Sequence, residues 1–416
     1  MLSTREEQRV VLYATTDEPT VSSSVTPDTP LSELNLNWHE RDLPEKLRTR
    51  HVHRLHPYLG KYIPQLVEVF LRKYFSPGQT VLDPFSGSGT TLVQANELGV
   101  NAIGYDVSAF NALLATAKTK HYDLKIVRQE ILDILNASQQ VTQTSSLQLS
   151  LWSATGNGNG HGPVSSSGYL QRWFAPQALK ELLAYRDLIQ NYRNQEILKI
   201  ILSRSARSAR LTTHFDLDFP KAPQTEPYWC YKHSRTCMPT TTAYQFLKHY
   251  SLDTIARLEE FASQRTDATV IIKHEDSRLA DIPPIDGVIT SPPYVGLIDY
   301  HEQHRYAYEL LRLQDKSESE IGAAKRGSSQ KAQRTYQESI AEVFRRACGA
   351  MPAGGILIVV AGDKFGLYDE IARLCGVEVE AVLKRHVNRR TGRRSSEFYE
   401  SVFVWRNREP NESMEP

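Results

Sequence analysis

The sequence predicts an α/β fold whose parallel sheet ends in an antiparallel hairpin and is interrupted by a mainly helical inserted domain. Three observations predict it. Over residues 78–120, short apolar runs ending in an acid alternate with helix-like runs, which is typical of a βαβ unit. A long stretch of linker composition and helical spacing then separates these runs from new strand-like runs that begin at residue 269. The last two β-rich runs, 379–387 and 398–405, are joined by a polar loop, which favours a hairpin.

Composition limits the class of protein. The chain has 416 residues, 40% hydrophobic and 23% charged, which predicts two or three globular domains. No apolar run approaches the roughly 18 residues of a membrane span, and the first ten residues lack the apolar core of a signal peptide. Four cysteines are too few for a disulfide framework, so we expect an intracellular protein. The net charge of +1 does not by itself indicate a nucleic-acid partner.

The elements follow in order. Residues 1–45 are predicted to form a flexible arm, because their Ser/Thr/Pro stretch has too little apolar content to fold alone. Residues 46–125 and 266–408 are predicted to form one α/β domain, and 126–265 an inserted domain with a linker over 136–168. The expected strands are 78–83, 101–106, 269–273, 286–290 and 355–363, besides the final hairpin. The expected helices are the second half of 53–75, then 90–98, 112–120, 171–210, 241–265 and 333–349.

The loop in VLDPFSGSGTT (81–91) favours a ligand site. It follows a parallel strand, and doubly wound folds bind ligands at the carboxyl edge of the sheet. Gly87 and Gly89 allow the backbone to approach a ligand, and the next helix offers free N–H groups. Leu92 replaces the third glycine of a dinucleotide fingerprint, and Thr90 replaces the lysine of a P-loop. Alone, the loop is equally typical of a tight strand–helix turn.

Asp106 strengthens the ligand interpretation. It ends the next strand, 17 positions after Gly89, and so is expected beside the loop on the same edge. An acid there can accept hydrogen bonds from two ribose hydroxyls, although it can also simply cap the following helix. Loop and acid together indicate a nucleoside ligand without a pyrophosphate clamp, and S-adenosylmethionine is such a ligand.

The segment DGVITSPPYVG supplies the second motif. Its strand leads into Ser291-Pro292-Pro293-Tyr294, again at a carboxyl edge. The two prolines stiffen the loop and remove two N–H donors, so that bare carbonyl oxygens lie beside the Ser291 hydroxyl. Tyr294 adds an aromatic face on which a base can stack. The motif therefore suits an exocyclic amino group, the alternative being a Pro-rich turn with a packed tyrosine.

DPFSGSGTT together with TSPPY resembles the amino-methyltransferases of DNA, which methylate exocyclic nitrogens with S-adenosylmethionine. SPPY is most similar to the cytosine-N4 subgroup, since adenine-N6 enzymes more often have an acid at its first position. HPYLGKYIP (56–64) resembles the family segment that encloses the methionine end of the cofactor. The resemblance covers roughly residues 53–120 and 269–405. It implies a Rossmann-like methyltransferase sheet for the α/β domain and target recognition for the inserted domain.

The resemblance also implies site residues, position by position. Asp106 matches the ribose-binding acid, and Asp276 matches the acid near the adenine of the cofactor. The implied catalytic residues are Ser291, Pro292, Pro293 and Tyr294. The implied cofactor residues are Lys61, Asp83, Phe85, Gly87, Gly89, Thr90, Asp106 and Asp276.

The mechanism implied by the resemblance is direct transfer to a nucleotide flipped out of the duplex. Tyr294 would stack on the base, while the Ser291 hydroxyl and the Pro292 carbonyl accept the two amino hydrogens. The amino nitrogen then attacks the sulfonium methyl group without a covalent enzyme intermediate. The resemblance thus predicts a methyltransferase that makes N4-methylcytosine in double-stranded DNA, in the cytoplasm at the nucleoid. It would work with a cognate restriction endonuclease or alone.

Other functions stay open at this point. Adenine-N6 methylation is the nearest alternative, because adenine presents an amino group to the same acceptor corner. Methylation of RNA or of a protein glutamine is more distant. A DNA-binding protein with a degenerate methyltransferase fold is the non-enzymatic alternative, and failure to bind S-adenosylmethionine would favour it.

Two basic clusters are candidates for DNA contact. Residues 199–248 hold eight Lys/Arg against three Asp/Glu, interleaved with aromatic side chains, and three of these arginines recur every third residue. The loop of the final hairpin, KRHVNRRTGRR (384–394), contains no acid. Solvated surface charge is the alternative in both cases. The predicted DNA-binding residues are Arg204, Arg207, Arg210, Lys232, Arg235, Arg389, Arg390, Arg393 and Arg394.

Cys230, His233 and Cys237, with His214 upstream, supply three or four soft metal ligands. Tetrahedral zinc needs four, and this spacing matches no common zinc knuckle. The sequence therefore favours ordinary buried thiols over a structural metal here, and no metal cofactor is predicted.

Overall fold

A computed structural model describes residues 11–154, 168–218, 220–387 and 398–408, and for residues 145–154 it describes the backbone alone. The strands are β1 (Val11–Leu12), β2 (Thr80–Asp83), β3 (Asn101–Asp106), β4 (Tyr228–Cys230), β5 (Arg235–Cys237), β6 (Val270–His274), β7 (Gly287–Thr290), β8 (Ile356–Ala361), β9 (Glu378–His386) and β10 (Tyr399–Arg406).

The α-helices are α1 (Glu45–Arg48), α2 (Pro64–Tyr74), α3 (Thr90–Glu97), α4 (Ala109–Thr119), α5 (Leu124–Ala154), α6 (Gly168–Trp173), α7 (Pro176–Leu188), α8 (Gln195–Ala209), α9 (Tyr244–Ala262), α10 (Tyr300–Gln303), α11 (Arg305–Leu311), α12 (Gln330–Gly349) and α13 (Tyr368–Cys375). Short 3₁₀ helices occupy Ser22–Ser24, Leu31–Glu33, His51–Arg54, Ile189–Asn191, Ser317–Ser319 and Ala324–Arg326.

Eight strands form one sheet in the order β1-β9-β10-β8-β7-β2-β3-β6. The strands from β8 to β6 run parallel, with Asp83 opposite Gly104 and Thr290 opposite Val359. β10 is antiparallel to both β8 and β9. The sheet confirms the predicted α/β class, including the C-terminal antiparallel hairpin. The order of the parallel strands reverses direction at β2, which has β3 on one side and β7 on the other. At such a topological switch point a crevice opens outside the carboxyl ends of the strands.

Both faces of the sheet are covered, so its central strands β2, β3, β7 and β8 are buried along most of their length. Successive side chains of a strand point to opposite faces. Leu82 therefore packs with residues of α12 and α13, whereas Val81 packs with residues of α2 and α3. Pro64 stands in the first turn of α2, and the Ser329 side chain accepts a hydrogen bond at the start of α12. These are common helix-start signals.

The interrupting region is mainly helical. Buried residues of α5, α6, α7, α8 and α9 pack in one hydrophobic core with residues of α4 and α11. The inserted segment and the sheet domain are therefore joined by a shared core. Between α8 and α9, β4 and β5 form a separate two-stranded antiparallel sheet.

The prediction of a flexible N-terminal arm over 1–45 is wrong for the described part, 11–45. β1 pairs in parallel with β9, and Val25, Leu34 and Leu36 are buried in the core that α2 lines. Lys73 donates hydrogen bonds to the carbonyls of Pro27 and Thr29. Scattered apolar residues, with no periodicity of their own, are enough to hold this irregular segment against a preformed helix.

The prediction of a linker over 136–168 is also wrong for residues 136–154. α5 continues through them to Ala154, although the segment is rich in Gln, Ser and Thr. Ser138 and Thr142 are buried, and their hydroxyls donate to carbonyls in the preceding turn of the helix. Such bonding satisfies these polar side chains inside a helix. The remainder of the predicted linker lies mostly outside the described residues.

Candidate active site

A pocket lies at the carboxyl ends of β2, β3, β6 and β7, where the topology predicts a crevice. It encloses about 780 Å³ of space between atoms, part of it open to solvent. It is lined by eight of the residues that the sequence singles out: Lys61, Phe85, Gly87, Thr90, Asp106, Asp276, Ser291 and Pro293. Asp83, Gly89, Pro292 and Tyr294 lie outside that lining.

Asp83 is buried at the end of β2, directly before the lining residues Pro84 and Phe85. Its carboxylate accepts hydrogen bonds from the hydroxyls of Thr290 at 2.6 Å and Thr91 at 2.7 Å. The Phe85 backbone N–H donates to the same carboxylate at 3.2 Å. Burial raises the pKa of Asp83, while these donors oppose the rise. Asp83 thus fastens the end of β2 to the end of β7, which is a positioning role rather than a direct ligand contact.

The glycine-rich loop needs its glycines for two different reasons. Gly87 has a φ of +48° and Gly89 a φ of +77°, both in the region that glycine adopts without strain. A Cβ on Gly89 would lie 3.0 Å from the Cβ of Ala115, so this glycine lets α3 approach α4. A Cβ on Gly87 would lie 3.1 Å from the Tyr58 hydroxyl, on the pocket side.

A buried lysine supports the same loop. Lys118 is fully buried, and its Nζ donates a hydrogen bond of 2.6 Å to the Ser88 carbonyl. Burial lowers the pKa of Lys118 well below its usual value. Nothing in its sequence position on α4 identifies this contact, because it joins residues 30 positions apart.

Asp106 lies at the centre of the pocket wall. Its carboxylate accepts from the Gly87 N–H and the Ser108 N–H, each at 2.8 Å, and from the Asn111 side chain at 3.1 Å. Burial raises the pKa of Asp106 to about 6, and these hydrogen bonds act against the rise. The acid therefore links the glycine loop to α4 at the edge of the pocket, as its position after β3 predicts.

The segment before α2 closes another side. Lys61 donates to the His53 carbonyl at 3.0 Å, and burial lowers the pKa of Lys61 to about 8. The Tyr58 ring stacks on Tyr300, with centroids 5.7 Å apart and planes 14° apart. Both tyrosines line the pocket. This wall is therefore aromatic, with one cationic side chain beside it.

Asp276 lies after β6, the neighbour of β3, and so reaches the same edge as Asp106. Arg278 pairs with it through two guanidinium nitrogens, one of them at 2.9 Å. Partial burial opposes ionisation, but the hydrogen bonds from Arg278 prevail and the pKa of Asp276 is lowered. The position is thus held as a carboxylate at neutral pH.

The Ser-Pro-Pro-Tyr loop follows β7. Ser291 and Pro293 face the pocket, Pro292 is buried, and Tyr294 turns toward the C-terminal hairpin. The Tyr294 hydroxyl donates a hydrogen bond of 2.9 Å to Glu400, which lies 3.4 Å from the Arg385 guanidinium. The loop thus spans from the pocket to β9 and β10.

A second aromatic side chain, Phe398, lies with Tyr294 beside Gly362. A Cβ on Gly362 would lie 3.2 Å from the Tyr294 ring and 3.0 Å from the Phe398 ring. Gly362 directly follows β8, so both rings stand at the carboxyl edge beside the pocket. A side chain larger than hydrogen at this position would displace one of them.

Sequence reasoning missed several pocket residues. Tyr58 lies in a segment that it did single out, and Asn111 stands five positions after Asp106, which is a usable signal. Tyr300 and Glu320 come from an irregular stretch after the Ser-Pro-Pro-Tyr loop that has no pattern of its own. The other missed lining residues are Gly60, Tyr62, Pro84, Ser86, Ser88, Val107, Ser108, Ser277, Ser319 and Ile321.

The prediction that Arg204, Arg207 and Arg210 present a free basic face is wrong. Arg204 pairs with Asp253 at 2.5 Å, and Arg207 pairs with Asp218 at 2.5 Å. Arg210 is 2% exposed, with its guanidinium 4.4 Å from the centroid of the Tyr306 ring. The three arginines recur every third residue as expected, but each side chain is engaged by an acidic or aromatic partner outside the helix.

The other predicted DNA contacts differ in status. Lys232 and Arg235 are exposed on the β4–β5 hairpin, beside the exposed rings of Trp229 and Tyr231. The hairpin loop between β9 and β10 carries the remaining predicted residues, which lie outside the described residues: Arg389, Arg390, Arg393 and Arg394.

Comparison with known proteins identifies the family. A family model described as DNA methylase, of the N6/N4 class, matches residues 28–116. The type II methyltransferase M.MjaII of Methanocaldococcus jannaschii is 37% identical over 430 residues, covering 87% of this chain and 81% of that protein. The chain belongs to the DNA amino-methyltransferase family. It is therefore a methyltransferase that acts on DNA, its cofactor is S-adenosylmethionine, and the family serves DNA methylation and restriction–modification.

Two further similarities are more distant. The type II methyltransferase M.MvaI of Kocuria varians is 22% identical over 291 residues, covering 65% of this chain and 59% of that protein. Among solved structures, TrmN from Thermus thermophilus aligns with a TM-score of 0.33 and 12% identity, covering 87% of this chain and 53% of that chain.

In the part of the chain that the structure describes, no helix has the length and hydropathy of a membrane span.

The pocket residues fit S-adenosylmethionine. Among the described residues, three buried polar atoms at the pocket have no hydrogen-bond partner within the protein: Ser86 Oγ, Ser88 Oγ and Asn111 Oδ1. Buried polar groups are normally satisfied, so these atoms suit a polar ligand. A carboxylate and an aromatic wall complete a set of groups suited to a nucleoside.

Proposed function

We propose that this DNA methyltransferase transfers a methyl group from S-adenosylmethionine to the exocyclic N4 of a cytosine flipped out of duplex DNA. The observation that carries the proposal is that Ser291 and Pro293 line the same pocket as Asp106. A bound cofactor and the acceptor loop would therefore share one cavity. Serine at the first position of the Ser-Pro-Pro-Tyr loop favours cytosine over adenine, by the family resemblance of that loop.

The cofactor would be held by groups on three sides. Asp106, as a carboxylate, would accept the ribose hydroxyl hydrogens, and Asp276, which lines the same pocket, would bind near the base. Lys61 and Tyr58, also in the lining, would hold the methionine end, where the lysine would complement a carboxylate. When bound, S-adenosylmethionine supplies an electrophilic methyl group to the site.

The acceptor loop prepares the nucleophile. The Ser291 hydroxyl and the Pro292 carbonyl accept the two amino hydrogens of the flipped cytosine, which localises the nitrogen lone pair toward the pocket. Proline fixes the backbone of this loop, so the acceptors are held in place before the base arrives. Positioned acceptors of this kind stabilise the charge that develops on the amino group during transfer.

Tyr294 and Phe398 form the proposed stacking surface for the base. They flank Gly362 at the end of β8, and Glu400 holds the Tyr294 hydroxyl at 2.9 Å. Because Glu400 is itself paired with Arg385, the tyrosine is fixed to the hairpin. A flipped base needs such a surface, since extrusion removes its neighbours in the duplex.

The deciding experiment is incubation of the protein with duplex DNA and cofactor, followed by mass spectrometry of the nucleosides. N4-methylcytosine is the expected product. N6-methyladenine would establish the alternative amino target. The absence of both, in DNA containing all short sites, would contradict the proposal.

Replacement of the stacking residue separates chemistry from cofactor binding. We expect Tyr294→Ala to lower the methylation rate roughly 10- to 100-fold, because stacking of one base on an aromatic ring is worth about 1–3 kcal/mol. The dissociation constant of the cofactor should change little, since Tyr294 lies outside the pocket lining. Single-turnover rates and titration calorimetry measure the two effects. Tyr294→Phe, which keeps the ring, is the matched control and should retain most of the rate. Loss of cofactor binding in Tyr294→Ala would contradict this assignment.

DNA would be held by exposed basic residues rather than by the α8 face. Lys232 and Arg235 on the β4–β5 hairpin remain candidates, together with the four arginines of the final hairpin loop. By the names of the relatives, we propose that the protein acts within a type II restriction–modification system. A cognate endonuclease recognising the same site is the partner that this proposal requires.

A further inference from the structure

Four soft ligands come together in the structure at a place where the sequence favoured ordinary buried thiols over a metal. They belong to the segment between α8 and α9, far from the cofactor pocket in sequence. His214 lies in the loop after α8, Cys230 ends β4, His233 lies in the hairpin turn and Cys237 ends β5. Their nearest ligand atoms all lie within 4.8 Å of one another. Four candidate ligands on three separate backbone stretches therefore converge on one point.

The distances fit a tetrahedron around one ion. Cys230 Sγ lies 3.5 Å from His214 Nδ1 and 3.6 Å from His233 Nδ1. His233 Nδ1 lies 3.5 Å from Cys237 Sγ. Tetrahedral zinc with Zn–S of about 2.3 Å and Zn–N of about 2.0–2.1 Å places sulfur and nitrogen ligands about 3.6 Å apart. The three measured edges agree with that value.

The segment around the cluster has little apolar packing. Each strand of the hairpin has three residues, and an isolated two-stranded hairpin is marginal in water. Of the described residues between Ala209 and Ala243, none belongs to any of the three hydrophobic cores. Trp229 is 55% and Tyr231 84% exposed, so the large rings of the hairpin do not form a core of their own. A bound metal is the usual substitute for a missing core in so small a unit.

The cluster is oriented for ligation. Cys230 is 3% and Cys237 8% exposed, and both are free thiols, so their sulfur atoms face inward. The Tyr228 hydroxyl accepts a hydrogen bond of 3.2 Å from the His214 backbone N–H, which fastens the His214 loop to β4. The same hydroxyl lies 3.0 Å from His214 Nδ1, a contact that a bound metal would replace. Lys232 and Arg235 are exposed on the same hairpin.

We propose that His214, Cys230, His233 and Cys237 form a structural Zn²⁺ site. Two thiolates balance the charge of the ion, and two neutral imidazoles complete a closed shell of four protein ligands. Such a closed shell leaves no position for substrate, so the metal serves the fold and takes no part in methyl transfer. Zinc would tie the hairpin to the loop after α8 and release the two thiol protons on binding. The ion thereby fixes the surface that carries Lys232 and Arg235.

The test is the metal content of the full-length protein, purified under reducing conditions without an affinity tag that binds metal. We expect one zinc ion per chain, measured by inductively coupled plasma mass spectrometry. Replacement by Co²⁺ should give the intense visible bands of a tetrahedral thiolate site. Cys230→Ser and His214→Ala should lose the zinc and the cobalt bands. Cys348→Ser, which removes a thiol outside the cluster, should keep both.

A second measurement does not depend on the variants folding. Removal of the metal from the unmodified protein by a chelator should expose residues 211–242 to protease, with added Zn²⁺ restoring protection, while S-adenosylmethionine binding persists. Protein that binds no zinc when zinc is supplied, or that contains a Cys230–Cys237 disulfide instead, would overturn the proposal. The same holds if the Cys348→Ser control loses metal as readily as Cys230→Ser.

Discussion

Asp106 illustrates how one side chain is prepared for a ligand. Burial favours the neutral acid, whereas the N–H groups of Gly87 and Ser108 favour the carboxylate, and the resulting pKa is about 6. Hydrogen bonds from ligand hydroxyls would stabilise the carboxylate in the same way as these N–H groups and would lower the pKa of Asp106 further. In the protein without ligand, the Asp106 carboxyl group therefore changes charge near pH 6.

Cofactor affinity should therefore depend on pH. The carboxylate accepts the ribose hydrogens only when ionised, so affinity is full above the pKa of the free protein and falls below it. We expect a constant dissociation constant above about pH 7 and, below pH 6, a rise of up to about tenfold per pH unit. Titration calorimetry between pH 5 and pH 8 measures it, with circular dichroism at each pH confirming that the fold persists.

Asp106→Asn is the matched control for this titration. It should bind the cofactor more weakly by about 1.5–3 kcal/mol, the range for hydrogen bonds to charged groups. Its affinity should also lose the dependence on pH near 6. An equal slope in the variant and the unmodified protein would show that another group is responsible.

At the scale of the element, the N-terminal segment 11–45 shows how irregular chain becomes part of a core. Leu36 is 1% and Leu34 3% exposed, and both pack in the core that α2 lines. The segment has few backbone hydrogen bonds to the sheet beyond β1, so these side chains supply much of its attachment. The family match beginning at residue 28 includes them.

Truncation of one of these side chains should therefore destabilise the whole protein. We expect Leu36→Ala to reduce the free energy of unfolding by about 2–4 kcal/mol, the usual range for a leucine fully buried in a core. Val21→Ala is the control, because Val21 is 64% exposed in the same segment and should change stability by less than about 0.5 kcal/mol. Urea denaturation measures both. Equal stability of Leu36→Ala and the unmodified protein would mean that the segment is not attached in solution.

Elements with a clear period were predictable, and those held by distant partners were not. The strands and helices around the pocket follow from apolar runs, caps and short connections, and two motifs located the pocket itself. The packing of residues 11–45 depends on a groove beside α2 that no local pattern encodes. The side chains that neutralise Arg204 and Arg207, Asp253 and Asp218, come from other elements, so helical spacing alone suggested a free basic face. Tyr300 and Glu320 reach the pocket from a loop without periodicity.

At the scale of the whole molecule, charge is nearly balanced, so DNA affinity must come from local clusters. The net charge is +1, and the α8 arginines are engaged internally. The final hairpin brings the end of β9 and the start of β10 to the catalytic edge, since Tyr399 pairs with His386 and Ser401 pairs with Ala361 at the end of β8. Tyr294 contacts Glu400 on the same hairpin. We therefore propose that the basic residues between β9 and β10 contact the phosphates nearest the flipped base.

Neutralising the loop should change how DNA binding depends on salt. Each phosphate contact contributes about 0.9 to the slope of log affinity against log salt concentration, because it releases a condensed counterion. Alanine at all four loop arginines should reduce that slope by roughly 2 to 4, with cofactor affinity unchanged. The variant replaces Arg389, Arg390, Arg393 and Arg394. Fluorescence anisotropy on a short duplex, over a series of salt concentrations, measures the slope.

A control variant that loses four positive charges elsewhere shows whether DNA binding depends on contacts made by the loop or on the net charge of the protein. It replaces exposed basic residues outside the hairpins, namely Arg41, Lys46, Arg345 and Arg373. Both variants lower the net charge from +1 by four, so a general effect of charge would weaken binding equally in the two. If the loop contacts phosphates, only the loop variant loses slope, because long-range attraction is largely screened beyond about 8–10 Å at physiological salt. Equal slopes in the two variants would place the phosphate contacts on another surface.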